Sequence, residues 1–295
     1  MPNVTDEPKV WEDSAARLAE SQVVSRHATS ASSPLDRVAG CAALLREAYA
    51  YFRKMPGEQG SLSPAAEWML DNFYLVEQTL RQLHEDMPKG FYRRLPTLAG
   101  PPLKGHARIY ALAQEVITGL QANLEMDRVT RFIHIYQRVA PLTIAELWAL
   151  PPMLRLGILE RLTQAVGHVM KVREQAGEES SVVAFNDMAD ETMIANCFQS
   201  LRTLVIHDWM ALFEELSQVD EVLRDDPAGI YDRMDFDTRD SYRKVIEGLA
   251  FRAGRAEADV AREAIALARE MQLHKRGSPR ATHVGFWLVD DGRVQ

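Results

Sequence analysis

The chain has 295 residues, 46% hydrophobic and 26% charged, a globular balance that excludes wholesale disorder. Its 34 Lys and Arg against 42 Asp and Glu leave a net charge of −8, which argues against a nucleic-acid partner and against electrostatic attachment to anionic lipid. No run approaches the roughly 18 to 20 uninterrupted apolar residues of a membrane span, and MPNVTDEPKV has neither the basic nor the apolar part of a secretion signal. Two distant cysteines, Cys41 and Cys197, each within an apolar helical pattern, read as buried free thiols. These features predict an acidic, cytoplasmic, helical protein.

Residues 1–32 are polar and weakly periodic and read as a flexible tail, with Trp11, Ala15 and Leu18 able to form a turn or two. Order is expected from Ser33-Pro34, where serine can cap and proline suits the first helical position. Val38, Ala42, Leu45, Tyr49 and Phe52 then mark one buried stripe, ended by Gly57 and Gly60. Ser63-Pro64 repeats the start signal for a helix to about residue 85, with Met69, Val76, Leu80 and Leu83 inward and Asn72 as a structural hydrogen-bonder. The Pro- and Gly-rich stretch 87–105 reads as a pinned loop.

Helices follow at 106–124 and from 127 to the stop at Pro141. Thr143 and Glu146 have capping-box spacing, flanked by Leu142 and Leu147 at staple positions. Pro151-Pro152 is expected to break that short helix before another at 153–175, which Gly177 ends. A long pattern at 186–224 is expected to bend near His207-Asp208. Asp226-Pro227-Ala228-Gly229 forms a turn, and Asp237 with Asp240 reads as the start of a helix ending at Ala253-Gly254. An alanine-rich helix at 256–273 precedes a linker and a strand-like run, 284–289. The predicted fold is all-α, a multi-helix bundle or solenoid-like array of antiparallel helices with a strand-like C-terminal tail. The expected domains are 1–32, 33–273 with a sub-boundary near 177–185, and 274–295.

Chemical motifs are sparse. Eight scattered histidines show no metal-ligand spacing, and neither phosphate-binding glycine loops nor a nucleophile elbow occurs. Asp235, Asp237 and Asp240 lack the glycine and terminal glutamate of a calcium loop. Carboxylate pairs such as Glu67 with Asp71, or Glu214 with Glu215, read as solvated helix faces, though a well-placed pair could serve glycoside chemistry.

Six blocks carry a more specific resemblance. They are LLREAYAYF (44–52), SPAAEWMLDNFYLVEQ (63–78), PLTIAELWALPPMLR (141–155), QSLRTLVIHDW (199–209), DPAGIYDRMDFDTRDSYR (226–243) and HVGFWLVDDG (283–292). Together they resemble the region of bacterial cyclic β-1,2-glucan synthases that precedes the membrane and glycosyltransferase segments. The resemblance implies an inner-membrane enzyme that polymerises glucose from UDP-glucose with a divalent cation, later closing the ring and trimming the chain by phosphorolysis. The family's membrane helices and glycosyltransferase aspartates have no counterpart in this sequence, so no catalytic, cofactor or metal residue carries over.

What the resemblance implies is a helical scaffold or regulatory domain at the cytoplasmic face, partnered by downstream glycosyltransferase and membrane domains. UDP-glucose and the cation then belong to those domains. Trp68, Tyr74, Trp148, Asp235, Asp237, Arg239 and Tyr242 are candidate docking residues, with burial or capping the competing explanation for each. Two further readings are a free-standing helical interaction module and a small carbohydrate-active enzyme with a carboxylate pair in a cleft.

Overall fold

Short polar side chains placed just ahead of apolar periodicity start five of the described helices, by accepting the N–H groups that a first turn leaves unpaired. The computed structural model describes residues 7–25, 34–54, 63–88, 90–175, 181–274, 279–290 and 292. The helices are α1 (Glu7–Ser21), α2 (Val38–Lys54), α3 (Pro64–Asp86), α4 (Arg108–Gly119), α5 (Met126–Val139), α6 (Ile144–Gln175) and α7 (Ser181–Ile206). They continue with α8 (Trp209–Leu216), α9 (Gln218–Leu223), α10 (Phe236–Ala253), α11 (Glu257–His274) and α12 (Val284–Val289). Two short strands, β1 (Val24–Ser25) and β2 (Thr97–Leu98), pair antiparallel with Val24 opposite Leu98. The fold is all-α. The expected start at Ser33 and stops at Gly57, Gly60 and Gly177 lie outside the described residues.

The chain divides into two compact units, the first formed by Met1–Val139 with Ala149–His207. Within it α3 packs on α2 and α7, and α1 packs on α5. Residues 7–21, expected within a flexible tail, are instead helix α1, with Ala15 and Ala19 buried and Trp11 against Phe132 at 4.5 Å between ring centroids. The stripe was faint because its buried members are mostly alanines. Gly119 makes room for the indole: a Cβ there would fall 1.8 Å from the Trp11 ring.

The Ser63 cap is present, its Oγ accepting from the Ala66 N–H at 3.3 Å with Pro64 at the helix start. Asn72 acts structurally, donating to Trp68 O and accepting from Arg202. Helix α4 stops five residues short of the expected 124. Gln121 and Ala122 then take left-handed backbone conformations, with φ of 50° and 56°. Side chains from α7 hold that turn: Ser200 Oγ accepts from Leu124 N–H and donates to Ala122 O, while Asn196 donates to Gln121 O.

The second unit is formed by Ala140–Trp148 with Asp208–Gln295. Its capping box is complete: Thr143 N–H donates to Glu146 Oε2 at 2.9 Å, and Glu146 N–H donates to Thr143 Oγ1 at 3.3 Å. The helix it starts does not break at the prolines; α6 runs on through Pro151 and Pro152. Each proline removes one N–H donor from the helix interior, and the helix continues through them with Leu150, Met153 and Leu154 buried around them.

The pattern expected as one helix over 186–224 is three helices. Asp208 caps α8, accepting from Met210 and Ala211, and Ser217 caps α9, accepting from Asp220. The bend near residue 207 is therefore a full break, and the Ser217 break was not anticipated. Gly254 ends α10 in the left-handed conformation, at φ 65°, as expected. Asp235 rather than Asp237 caps α10, accepting from Thr238 N–H at 2.8 Å. The segment 284–289, expected as a strand, is helix α12, packed on α10 and α11.

Candidate functional site

The turn after α9 is built around one carboxylate. Asp226 Oδ2 accepts from the Ile230 and Tyr231 N–H groups at 3.0 and 3.3 Å, which closes the turn on its own chain. The same side chain reaches 57 residues along the sequence, accepting from His283 Nδ1–H at 2.8 Å, and its Oδ1 accepts the Val284 N–H at 2.9 Å. Burial opposes the charge on Asp226, but these donors outweigh it and hold the carboxyl below its ordinary value. With Nδ1 committed to Asp226, the imidazole presents Nε2 to the Tyr242 hydroxyl at 3.3 Å.

Tyr242, His283 and Gly285 form one side of a cleft of about 480 Å³. Ile230, Phe286 and Val289 give it apolar surface, and Arg280 and Asp290 bring one charge of each sign. Gly285 is required there, because a Cβ would fall 2.2 Å from Tyr242 Oη and 2.6 Å from His283 Nε2.

A second polar cluster in the same unit is closed rather than open. The Arg243 guanidinium is fully buried and donates to Asp220 Oδ1 at 2.8 Å. Tyr231 donates to the same oxygen at 2.7 Å, and Arg224 donates to Oδ2 at 2.9 Å. Glu214 pairs with Arg239 at 2.8 Å and approaches Arg243 at 3.5 Å. The rings of Phe236 and Phe213 lie 4.8 and 5.0 Å from the guanidinium carbon, two cation–π contacts from rings set edge-to-face with each other. Burial beside Asp220 pushes the Tyr231 hydroxyl far above its usual range. These pairings tie α8, α9 and α10 together, although the buried Arg243 Nε and Nη2 make no hydrogen bond among the described residues.

The first unit has its own buried carboxyl, Glu160. Burial raises its pKa against the opposing bonds from Tyr110 at 2.9 Å and Gln114 at 2.8 Å and the Arg37 ion pair at 3.1 Å. Cys41 and Cys197 are free and buried, and burial pushes the Cys197 thiol up to about 12. Such a thiol is inert. Among the described residues no group of three His, Cys, Asp or Glu side chains is arranged to hold a metal ion. Nor is any helix there long and apolar enough to cross a membrane.

The seven candidate docking residues do not form one patch. In the first unit Trp68 stacks on Phe198 at 6.2 Å, whereas Tyr74 is exposed. In the second, Trp148 stacks on Phe213 at 4.7 Å and meets Phe236 edge-on. Asp235 caps α10, Asp237 is exposed on its first turn, and Arg239 is paired with Glu214. Tyr242 lines the cleft. Sequence reasoning missed the two residues that organise the site, Asp226 as a bridge and His283. Each begins one of the resembling blocks, but no spacing rule links positions 57 apart.

No family model matches the chain. It is similar to the cyclic beta-(1,2)-glucan synthase NdvB of Rhizobium meliloti, 28% identical over a 306-residue alignment that covers 79% of this chain. That alignment takes in 11% of the relative, so the chain spans a small part of a much larger protein's length. The chain is thus a helical protein with distant homology to part of a large glucan synthase.

Proposed function

We propose that this chain serves as a non-catalytic helical scaffold or regulatory domain of a cyclic β-1,2-glucan synthase, a membrane glycosyltransferase that polymerises glucose from UDP-glucose. The observation that carries the reading is the similarity to such a synthase across 79% of the chain. The disposition of the charged groups supports it. Asp220, Glu214 and Arg243 pair with one another inside the second unit, and Asp226 accepts from four donors of its own chain. Groups held in that way keep a shape and leave no carboxylate pair facing a substrate across either cluster. In this reading the domain works at the cytoplasmic face of the inner membrane against downstream glycosyltransferase and membrane domains. Exposed apolar side chains of the second unit, Phe251 at 77% and Leu273 at 81%, are available for such docking.

The test has two arms. The isolated chain, given UDP-glucose with Mg²⁺ or Mn²⁺, is expected to release no UDP. A full-length synthase lacking the corresponding segment is expected to lose glucan output, and to regain it when the chain is co-expressed. UDP release by the chain alone, or full output without the segment, overturns the proposal.

A further inference from the structure

Helix α1 is specifically seated but held by little. Its buried residues are Ala15 and Ala19, with Trp11 and Leu18 half-buried, whereas α3 buries Met69, Leu75, Val76, Leu80 and Leu83. Alanine removes little apolar surface from water, and 15 residues lie at the margin of what holds as a lone helix. What marks the seat is Trp11. Its ring fills the space left open at Gly119, meets Phe132 at 4.5 Å and lies 5.8 Å from the Arg128 guanidinium carbon. Yet its buried Nε1–H finds no acceptor among the described residues, a cost that water removes once the indole leaves. A specific contact that leaves a donor unpaired is suited to opening and closing rather than to permanent packing.

The seat is braced independently of α1. The turn that follows Gly119 is held by α7, where Ser200 Oγ accepts from Leu124 N–H at 2.8 Å and donates to Ala122 O at 2.6 Å, and Asn196 donates to Gln121 O at 3.0 Å. The tether also lies beyond the helix: the Tyr136 hydroxyl donates to Gln22 at 2.5 Å, Ala99 N–H donates to Val23 O at 2.8 Å, and β1 pairs with β2. Departure of α1 therefore uncovers Phe132 and the notch at Gly119 on a frame that stays in place. Charge matches as well. In a chain of net −8, α5 sets Arg128, Arg131 and Arg138 against Asp127 alone, whereas α1 sets Glu7, Glu12, Asp13 and Glu20 against Lys9 and Arg17. We propose that α1 is a detachable arm, and that the face of α4 and α5 beneath it is a docking seat for an acidic amphipathic helix bearing one aromatic side chain, filled in this structure by the chain's own α1. Docked, the arm masks the seat; undocked, the seat accepts a helix of the same chemistry in trans. The inference stands on the first unit and does not depend on the scaffold role.

The test uses the full chain. Under native conditions the α1 amides are expected to exchange with deuterium about tenfold faster or more than those of α3 and α5. Trp11→Ala is expected to abolish the remaining protection of α1 while α2, α3, α5 and α7 keep theirs. Alanine is the better helix former, so that loss reports docking and not helix propensity. Gly119→Ala, which alters the seat and not the arm, is expected to release α1 in the same way. The probe for the open seat is a fluorescently labelled peptide of residues 7–21. It is expected to bind the Trp11→Ala chain saturably, and the wild-type chain about tenfold more weakly or less, because the tethered arm competes. Adding Gly119→Ala to the Trp11→Ala chain is expected to abolish binding of the peptide. The proposal is overturned if α1 exchanges in step with α5, if Trp11→Ala leaves α1 protected or unfolds the whole first unit, or if the peptide fails to saturate the Trp11→Ala chain. Equal binding by a scrambled peptide of the same composition overturns it as well, because charge alone would then account for the contact.

Discussion

Asp226 is the residue on which the C-terminal part of the second unit depends. Its carboxyl is held below the ordinary 3.8 because the bonds from His283, Val284 and Ile230 outweigh the cost of burial. A carboxyl lowered in the folded state contributes stability that is present above its unfolded value and lost as pH falls through the folded one. The melting temperature is therefore expected to drop on acidification below about pH 4, and Asp226→Asn to flatten that acid limb. A variant with the wild-type acid slope would contradict the assignment. Gly285 makes a complementary prediction. Gly285→Ala forces the methyl group onto Tyr242 Oη and His283 Nε2, so the Tyr–His contact must open and the His283 ring resonances move.

At the scale of elements, caps decide where helices start, and two aspartates two residues apart are not equivalent. Asp235 has the extended backbone of a cap and accepts from Thr238 N–H and Oγ1. Asp237 lies inside the first turn, where it only faces the positive end of the helix dipole. Asp235→Ala is expected to lower the melting temperature measurably and Asp237→Ala to change it little. Equal effects from the two would mean that capping is not what starts α10. The capping box at Thr143 offers a second test. Its hydroxyl serves Glu146 N–H while the buried Glu146 serves Thr143 N–H, so Thr143→Ala should cost about 1 kcal/mol by chemical denaturation.

At the scale of the whole molecule, each unit is held by its own core, and the second adds a buried ion network to a modest apolar one. Removing one partner from such a pair leaves the other charge without compensation, whereas replacing both with apolar groups need not. Asp220→Ala should cost about 3–5 kcal/mol, measured by denaturation, because Arg243, Arg224 and Tyr231 all lose an acceptor. Adding Arg243→Met to that variant should recover much of the loss. A double variant no better than the single would mean that the network is not what joins α8, α9 and α10.

Local chemistry made the all-α class, the Ser63 and Thr143 starts, the Gly254 stop and the stripes of α2 and α3 legible in the sequence. Each of these rests on side chains within four or five residues of one another, so periodicity and capping suffice to read them. Where the sequence misled, a distant partner had altered a local preference. The aromatic run 284–289 has the composition of a strand, yet its first N–H is taken by Asp226 and it folds as a helix. The alanines of α1 read as tail because their burial depends on α5. The candidate site belongs wholly to this second class. Asp226, Tyr242 and His283 are ordinary turn and helix residues in sequence, and they become a site only when folding closes the separations of 41 and 57 residues between them.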